Sequence, residues 1–304
     1  MRILVTGGLG AVGKPLSEEL RRRGREVWIS DRMHSYEPYY IRCDVGEFHQ
    51  VEGLFSKVEF DYVYHLAAEF GRRNGEDFYE TLWKTNAIGT KNILRIQERL
   101  KFKMIFTSSS EVYGDYSGIM SEDVMDKVAI RQLNDYAMSK RVNEMQILNS
   151  ADRFGTETVR LRLFNTYGPG EYYSEYRSAI CVFIYRALHG LPYTVFTKHK
   201  RTSSYIDDMV RTLTNIVENF KPGEAYNIAG NELHDMKQAS DIILSYLGKD
   251  DSLVEYRDVE EATTLEKKAD VSKAVRDLGH QSTVALEEGI PRTINWQKEV
   301  YGSG

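Results

Sequence analysis

Short apolar runs alternate with longer stretches of helical period through the first half of the chain. The runs at residues 3–5, 27–30, 62–66 and 104–107 are separated by segments whose apolar residues recur every three or four positions. This alternation predicts successive βα units. Because the runs are apolar at consecutive positions, helices are expected to cover both faces of the sheet, as in a doubly wound parallel sheet of an α/β protein.

The pattern changes in the second half of the chain. A loop rich in tyrosine and charge is predicted at residues 170–178 and an apolar helix at 179–189, with shorter strands and helices beyond it. We therefore divide the chain into a core at residues 1–165 and a smaller C-terminal lobe at residues 166–304. Segments at about residues 200–230 are expected to return to the core.

Composition excludes several classes of function. Over 304 residues the formal net charge is −5, so the chain lacks the basic surface that nucleic acid or an anionic membrane requires. No stretch approaches the roughly 18 consecutive apolar residues of a membrane-spanning helix. The two cysteines, Cys43 and Cys181, are too few and too far apart for a disulfide framework or a zinc site. We expect a cytoplasmic protein without a metal ion.

Glycines interrupt the chain directly after the first apolar run. Residues 3–13 read Ile-Leu-Val-Thr-Gly-Gly-Leu-Gly-Ala-Val-Gly, so a strand ends in a tight turn that enters a helix. Such a turn lets the backbone approach a pyrophosphate, whose charge the helix N-terminus stabilises. A second strand ends in Asp31, where a carboxylate can accept hydrogen bonds from both ribose hydroxyls and repel a 2′-phosphate. A Rossmann-type site for NAD is predicted, while Arg32 beside it could pair with the phosphate of NADP.

Tyr136 and Lys140 stand four residues apart in a segment of helical period, so they project from one face. A nearby ammonium favours the phenolate and lowers the tyrosine pKa towards neutrality, which suits a general base for alcohol oxidation. Such pairs arise by chance in a chain with 20 tyrosines. The pair becomes specific evidence in combination with the segment Thr-Ser-Ser-Ser-Glu-Val-Tyr-Gly-Asp at residues 107–115, which begins at the end of the run at 104–107.

Taken in order, these motifs resemble those of the extended short-chain dehydrogenase/reductases, specifically the sugar-nucleotide epimerase/dehydratase family. The resemblance covers essentially the whole chain. It is carried by Thr-Gly-Gly-x-Gly-x-x-Gly at residues 6–13, His-Leu-Ala-Ala at 65–68, Asn86, Ser-Ser-Ser-Glu-Val-Tyr-Gly at 108–114, Tyr-x-x-x-Lys at 136–140, Arg-Leu-Phe-Asn-x-Tyr-Gly-Pro-Gly at 162–170, and Arg201 before Tyr-Ile-Asp-Asp at 205–208.

The resemblance implies transient oxidation of a nucleotide-activated hexose at C4. Tyr136 would remove the hydroxyl proton, and Ser109 would hydrogen-bond the same oxygen. Lys140 would lower the tyrosine pKa and hold the nicotinamide ribose, while NAD takes the hydride and later returns it. The 4-keto sugar acidifies C3 and C5, and relatives then epimerise, dehydrate or decarboxylate it. The implied catalytic residues are Ser109, Ser110, Glu111, Tyr136 and Lys140.

Binding residues follow from position and from the same resemblance. Asp44 and Val45 are expected beside the adenine ring, although Asp44 also suits a surface turn. Of the implied substrate-binding residues, Asn165 contacts the pyrophosphate or sugar, Arg201 pairs with a phosphate, and Arg177 holds a second phosphate or a carboxylate. The predicted cofactor-binding residues are Gly7, Gly10, Ala11, Val12, Gly13, Asp31, Arg32, Asp44, Val45, Leu66, Ala67, Ala68, Asn86, Thr107, Tyr136 and Lys140.

Glu111 bears on which reaction follows the oxidation. In resembling dehydratases a glutamate here is the C5 base, preceded by an aspartate that protonates the leaving hydroxyl, whereas this chain has Ser110. A Ser-Glu pair also resembles GDP-mannose dehydratases and UDP-glucuronate decarboxylases. We favour a 4,6-dehydratase slightly, with an NDP-sugar 4-epimerase or a UDP-glucuronate decarboxylase as alternatives. Segments 130–135 and 171–177 depart from the family pattern and leave the sugar open.

Two further classes of protein are compatible with the fold. One is a simple NAD-dependent dehydrogenase that releases NADH, and the other is a non-catalytic dinucleotide-binding scaffold. The scaffold is disfavoured because Ser109, Tyr136 and Lys140 are all present. The resemblance also implies a homodimer that pairs the helices predicted at residues 78–99 and 134–149 in a helix bundle.

Overall fold

The computed structural model describes residues 1–302, so the last two residues of the predicted lobe lie outside the described part. The first half alternates strands and helices as the apolar runs predict. Its elements are β1 (Arg2–Thr6), α1 (Gly13–Arg22), β2 (Glu26–Asp31), β3 (Tyr40–Arg42), α2 (Phe48–Lys57), β4 (Tyr62–His65), α3 (Arg72–Asp77), α4 (Tyr79–Trp83), a π-helical turn (Lys84–Ile88), α5 (Gly89–Leu100), β5 (Lys103–Ser109), a 3-10 turn (Ser110–Tyr113), β6 (Ile119–Met120), α6 (Val124–Lys127), α7 (Asp135–Phe154) and β7 (Thr158–Leu163).

The second half contains shorter strands and four longer helices. Its elements are β8 (Thr166–Tyr167), α8 (Ala179–Leu188), β9 (Tyr193–Phe196), β10 (Lys200–Thr202), β11 (Ser204–Tyr205), α9 (Ile206–Asn215), β12 (Ala225–Ile228), β13 (Leu233–Asp235), α10 (Met236–Leu247), β14 (Val254–Arg257), β15 (Glu266–Ala269), α11 (Ser272–Leu278) and α12 (Leu286–Tyr301).

Seven strands form one parallel sheet in the order β12-β7-β5-β4-β1-β2-β3. Ile3 of β1 pairs with Val27 of β2 on one side and with Tyr62 of β4 on the other. The strand order reverses between β1 and β4, and in such sheets ligands bind at this point, outside the carboxyl ends of the strands. The predicted doubly wound α/β fold is confirmed.

Helices cover both faces of the sheet. On one face α1 and α9 pack through residues such as Leu16, Leu20 and Leu213, and on the other α2, α5 and α7 contribute residues such as Leu54 and Ile93. These side chains are buried because consecutive apolar positions on each strand need cover on both sides. Layers of this kind hold the loops at the carboxyl edge of the sheet in fixed positions.

A second apolar cluster supports the C-terminal part of the chain. It joins α8, α10 and α12 through Ile184, Ile243 and Ile290, each of which is fully buried. The structure differs from the sequence-based prediction here, because α12 was not predicted.

Among residues 1–302, no helix has both the length and the apolar character that crossing a membrane would require.

The helix predicted at residues 78–99 is not continuous. Phe78 has a non-helical conformation between α3 and α4, and a π-helical turn precedes α5. The π-helical turn holds Asn86, which is buried. Apolar periodicity alone does not reveal this widened turn, because one inserted residue shifts the pattern by less than a full turn.

Candidate active site

A crevice of about 1040 Å³ lies at the carboxyl edge of the sheet, between the core and the C-terminal part. All the predicted cofactor-binding residues except Asn86 line it, as do the predicted catalytic residues Ser109, Ser110 and Glu111. Asn165, Arg177 and Arg201 line its other end. The fold therefore brings together residues that are separated by up to about two hundred positions in the chain.

Two glycines of the first turn are required by the structure. Gly7 has φ +68°, and a Cβ there would lie 2.8 Å from the Ala67 backbone nitrogen. A Cβ on Gly13 would lie 2.2 Å from the Gly7 carbonyl oxygen. With no side chains in the way, the start of α1 presents its free N–H groups to the crevice, which suits a pyrophosphate.

Asp31 ends β2 with its carboxylate held by the backbone. Leu9 N–H donates to one oxygen and Met33 N–H to the other, each at 3.2 Å. A carboxylate has about four acceptor positions, so two remain for the ribose hydroxyls of a dinucleotide. Together with the glycine turn, this carboxylate gives the crevice the features that NAD needs. Arg32 does not point freely into the site, because its Nη1 lies 2.9 Å from Oε1 of Glu69.

Asn86 stands behind the crevice wall rather than in it. Its Oδ1 accepts from Glu69 N–H at 2.8 Å, and its Nδ2 donates to the Glu69 carbonyl at 3.0 Å and to Ser139 Oγ at 2.9 Å. The side chain is fully engaged with protein groups and buried. The prediction that Asn86 binds the cofactor is therefore corrected: it fixes the segment after β4 that does line the site.

Ser109, Tyr136 and Lys140 meet at the end of β5. Burial raises the pKa of Tyr136 to about 12, a shift that the neighbouring Ser109 hydroxyl reduces and the Glu111 charge increases. Burial also lowers the pKa of Lys140 to about 7. Its Nζ donates to the Thr107 carbonyl at 2.8 Å.

The expectation that Lys140 lowers the tyrosine pKa is wrong for these side chains alone. The Lys140 ammonium lies 6.0 Å from the centre of the Tyr136 ring, and burial disfavours the charged form of both groups. The arrangement therefore holds the two groups close to each other and favours the neutral phenol and the neutral amine. Proton transfer between such groups and a sugar hydroxyl requires less reorganisation than in water.

Glu111 is paired with a lysine that sequence analysis did not identify. Lys267 Nζ on β15 donates to Glu111 Oε1 at 2.5 Å, and the two side chains are 2% and 17% exposed. Burial raises the pKa of Glu111, but the charges of Lys267 and Arg72 outweigh it, and the net pKa lies below the usual range. Burial lowers the pKa of Lys267 to about 8 against the opposing charge of Glu111. Glu111 is thus an ionised acceptor with a counter-ion behind it.

Arg201 is buried near Glu111 and is largely committed to protein groups. Its Nη1 donates to the carbonyls of Lys200 and Leu265 at 2.8 and 2.9 Å, and its Nη2 lies 3.2 Å from His199 Nδ1. Burial lowers the pKa of Arg201 to about 10. Within residues 1–302 no carboxylate lies within salt-bridge distance of it, and the more distant charges of Glu111 and Glu260 favour its ionised form.

Arg177 is a second cation that forms no salt bridge with the described residues. Its guanidinium stacks over the Phe70 ring at 4.0 Å, and the part of the chain that the structure describes offers it no salt bridge and no hydrogen-bond partner for Nε. The loop that carries Arg177 is anchored at both ends. Ser178 Oγ donates to Glu171 at 2.7 Å, and Tyr173 N–H donates to the Tyr301 hydroxyl at 2.7 Å. Arg177 is therefore positioned to bind an anion in the crevice.

Other groups at this end were also missed by sequence analysis. Arg72 Nη2 binds Glu260 at 2.6 Å. Asn165 is exposed and lines the crevice. No local pattern identifies Arg72, Glu260 or Lys267, because these residues lie outside the motifs.

Within residues 1–302 no cluster of three or more His, Cys, Asp or Glu side chains has the arrangement of a metal site.

Comparison with known proteins agrees with this geometry. The model of the NAD dependent epimerase/dehydratase family matches residues 3–229. UDP-glucuronic acid decarboxylase 1 of Xenopus tropicalis is 30% identical over 97% of this chain and 72% of its own length. UDP-glucuronic acid decarboxylase 6 of Arabidopsis thaliana is 33% identical over 96% of this chain and 87% of its own.

Solved structures show the same relationship. UDP-glucuronic acid 4-epimerase of Bacillus cereus, in complex with UDP-glucuronic acid and NAD, superposes with a TM-score of 0.87 at 26% identity, covering 99% of this chain and all of that one. UDP-glucose 4-epimerase of Thermotoga maritima gives a TM-score of 0.90 at 25% identity, with 99% of each chain covered. The family resemblance and NAD as the cofactor are confirmed. The chain belongs to the NAD-dependent epimerase/dehydratase family and is an enzyme of the extended short-chain dehydrogenase/reductase type.

Proposed function

We propose that this enzyme decarboxylates a nucleotide-activated hexuronate after transient oxidation at C4. The relatives support a uronate substrate, since the names of the two decarboxylases and of the Bacillus cereus epimerase all include UDP-glucuronic acid. The observation that carries the choice of reaction is Ser110, which offers no carboxylic acid to a leaving group. The carboxylate that neighbours Tyr136 is that of Glu111, and its negative charge is stabilised by Lys267.

This arrangement fits loss of carbon dioxide better than loss of water. Dehydration needs a base at C5 and also an acid that protonates the departing hydroxyl, and Ser110 stands where a carboxylic acid would be required. Decarboxylation of a 4-keto uronate needs no acid on a leaving group. The C5–C6 bond breaks, carbon dioxide leaves, and the electron pair moves through C5 towards O4.

The chain's own residues hold the reacting oxygen. Ser109 and Tyr136 line the crevice where O4 would lie, and Tyr136 would take the proton of the hydroxyl in its phenolate form. When the 4-keto group accepts the electron pair, the same two hydroxyls stabilise the negative oxygen. A proton from water then completes C5. Bound NAD supplies the hydride acceptor for the oxidation and the hydride donor for the return.

Two cations without salt bridges account for binding of the nucleotide part of the substrate. A nucleotide diphosphate carries two charged phosphates, and the guanidinium groups of Arg177 and Arg201 match them. Asn165 lies exposed in the same part of the crevice and can donate to a phosphate or sugar oxygen. Lys267 neutralises Glu111, which allows the substrate carboxylate to lie beside it.

A 4,6-dehydratase, which the sequence analysis favoured slightly, is the second candidate. The observation in its favour is the ionised state of Glu111, since a carboxylate with a lowered pKa is deprotonated and free to accept the C5 proton. It requires a proton donor for the C6 hydroxyl in place of Ser110. The buried imidazole of His199, which lines the crevice, is neutral because burial lowers its pKa, and it is a weak acid for this purpose.

Product analysis separates these reactions. The purified enzyme is incubated with NAD and either UDP-glucuronate or UDP-glucose, and the products are identified by mass and proton NMR. Tyr136→Phe is the control. The proposal predicts carbon dioxide and a UDP-pentose from the uronate, with no change of UDP-glucose. A mass-neutral epimer of the uronate, loss of water from UDP-glucose, or net NADH release would each contradict it in favour of an epimerase, a dehydratase or a simple dehydrogenase.

We also propose a homodimer built on α5 and α7, which pack against each other. Met138, Met145 and Leu148 recur along one stripe of α7 and are exposed, as is Ile88 just before α5. Light scattering of Met145→Glu is expected to show monomer, with Val275→Glu on the exposed surface of α11 as the control. A dimer that survives Met145→Glu would contradict this interface.

Two further predictions remain part of the proposal. The first is the division into a dinucleotide-binding core at residues 1–165 and a mainly substrate-binding lobe at residues 166–304, which the positions of the predicted cofactor-binding residues before residue 166 and of Arg177 and Arg201 after it support. A cytoplasmic location fits the two cysteines, Cys43 and Cys181, which are buried free thiols.

A further inference from the structure

The contact between Arg32 and Glu69 spans the cofactor end of the crevice. Arg32 follows β2 directly after Asp31, and Glu69 follows β4, and both line the site. Their side chains meet at 2.9 Å between Nη1 and Oε1, with Arg32 60% exposed and Glu69 16% exposed. An arginine directly after the ribose-binding carboxylate is a group that could accommodate the 2′-phosphate of NADP. Here that arginine already has an anionic partner.

Glu69 is held rigidly in this position. Its backbone N–H and carbonyl are both bound by the buried Asn86 side chain at 2.8 and 3.0 Å. Its second carboxylate oxygen accepts from Asn74 Nδ2 at 3.2 Å. One oxygen therefore faces Arg32 while the other is fixed by α3, so the carboxylate is preorganised for the arginine.

We propose that Glu69 is a specificity-determining residue that excludes NADP by occupying Arg32. Asp31 alone repels a 2′-phosphate, but a free guanidinium beside it would offset that repulsion with a charge-assisted, bidentate contact. With Glu69 in place, the three side chains Asp31, Arg32 and Glu69 present a net charge of −1 to the ribose. A 2′-phosphate must then displace a carboxylate to reach Arg32.

Equilibrium binding tests this role directly. Dissociation constants of NAD and NADP are measured by calorimetry on protein freed of dinucleotide. The readout is the ratio of the dissociation constant of NADP to that of NAD. Glu69→Gln keeps the shape and the Asn74 hydrogen bond but removes the charge, so NADP binding should tighten and the ratio should fall about tenfold. In the Arg32→Ala background the same change should leave the ratio within about twofold.

Control variants separate this effect from a general change of charge. Glu52→Gln removes one negative charge from the exposed pair with Arg99, neither of which lines the crevice, and should not alter the ratio. Glu69→Asp, which keeps the charge but shortens the side chain, should lower the ratio by a smaller factor and provides a second test if Glu69→Gln is unstable. The dinucleotide released from each purified variant by heat is identified by mass as an independent readout.

The inference is overturned if Glu69→Gln leaves the NADP to NAD ratio unchanged. It is equally overturned if the ratio falls by the same factor in the Arg32→Ala background or in Glu52→Gln, because the effect would then not pass through Arg32. Either failure leaves the proposed decarboxylation untouched, since this experiment involves no sugar substrate.

Discussion

Lys267 and Glu111 form a buried ion pair at 2.5 Å although 156 residues separate them in the chain. Glu111 belongs to the turn after β5, and Lys267 comes from a short strand of the C-terminal part. The lysine is 2% exposed and does not line the crevice. It therefore acts on the substrate through Glu111, as a positioning residue and counter-ion.

Removing the lysine should destabilise the protein and disturb uronate binding. Lys267→Met leaves a largely buried carboxylate without a partner, at an expected cost of about 3 kcal/mol in the free energy of unfolding. The unpaired charge also repels a substrate carboxylate, so affinity for UDP-glucuronate should fall more than affinity for UDP-glucose. Urea unfolding and calorimetric binding of both ligands measure the two effects.

The double variant Lys267→Met with Glu111→Gln serves as the control. It removes both charges, and most of the lost stability should return because no unpaired charge remains. Equal loss of affinity for the two ligands in Lys267→Met would show that the pair has no role in selecting a uronate.

Tyr136→Phe should lower kcat by about 10²- to 10⁴-fold, because the phenol supplies the proton transfer at O4. Affinity for NAD and for the nucleotide sugar should change little, since the ring is retained. Steady-state rates and calorimetry on the same preparation measure both quantities. Retention of more than a tenth of the wild-type kcat would require another general base.

Arg177→Ala should weaken binding of every nucleotide sugar about tenfold, since the lost contact is a charge-assisted one to phosphate. Its matched control is Arg73→Ala on the same wall, where the guanidinium is already paired with Glu175 at 3.5 Å. The control should alter affinity less than threefold, by the small value of an exposed pair. Similar losses in both variants would remove Arg177 from the site.

Lys140 should give the protein a pH-dependent contribution to stability. Burial lowers its pKa from 10.5 to about 7, so between these values the unfolded chain binds the proton more strongly than the folded one. The contribution is complete above the unfolded pKa and is lost as the pH falls through the folded pKa. Urea unfolding of dinucleotide-free protein from about pH 7 to about pH 9 should show stability rising more steeply in wild type than in Lys140→Met. Parallel curves would mean that Lys140 stays protonated.

The sequence predicted the parts of the site that local patterns encode. The glycine turn, Asp31 and the pair Tyr136 and Lys140 each lie within one βα unit, where spacing determines geometry. Their strands also share one edge of a parallel sheet, so their convergence follows from the fold class.

Contacts between residues far apart in the sequence could not be predicted from local patterns. Lys267 lies in the charged run Glu-Lys-Lys, which is typical of an exposed strand, and nothing local shows that it is buried against Glu111. Asn86 belongs to a family motif, but the π-helical turn directs its side chain behind the wall. The prediction for the pKa of Tyr136 was wrong for a similar reason. Burial of the phenol depends on the whole fold, and its effect on the pKa outweighs that of a lysine one helical turn away.

Retention of a C4 label tests the central claim most directly. UDP-glucuronate deuterated at C4 is converted by the enzyme with unlabelled NAD, and the product is analysed by mass and proton NMR. Transient oxidation at C4 predicts a decarboxylated product that keeps the deuterium at C4, with no NADH accumulating. A product that has lost the deuterium to released NADH, or one that retains it together with the C6 carboxylate, would contradict the proposed decarboxylation through a 4-keto sugar.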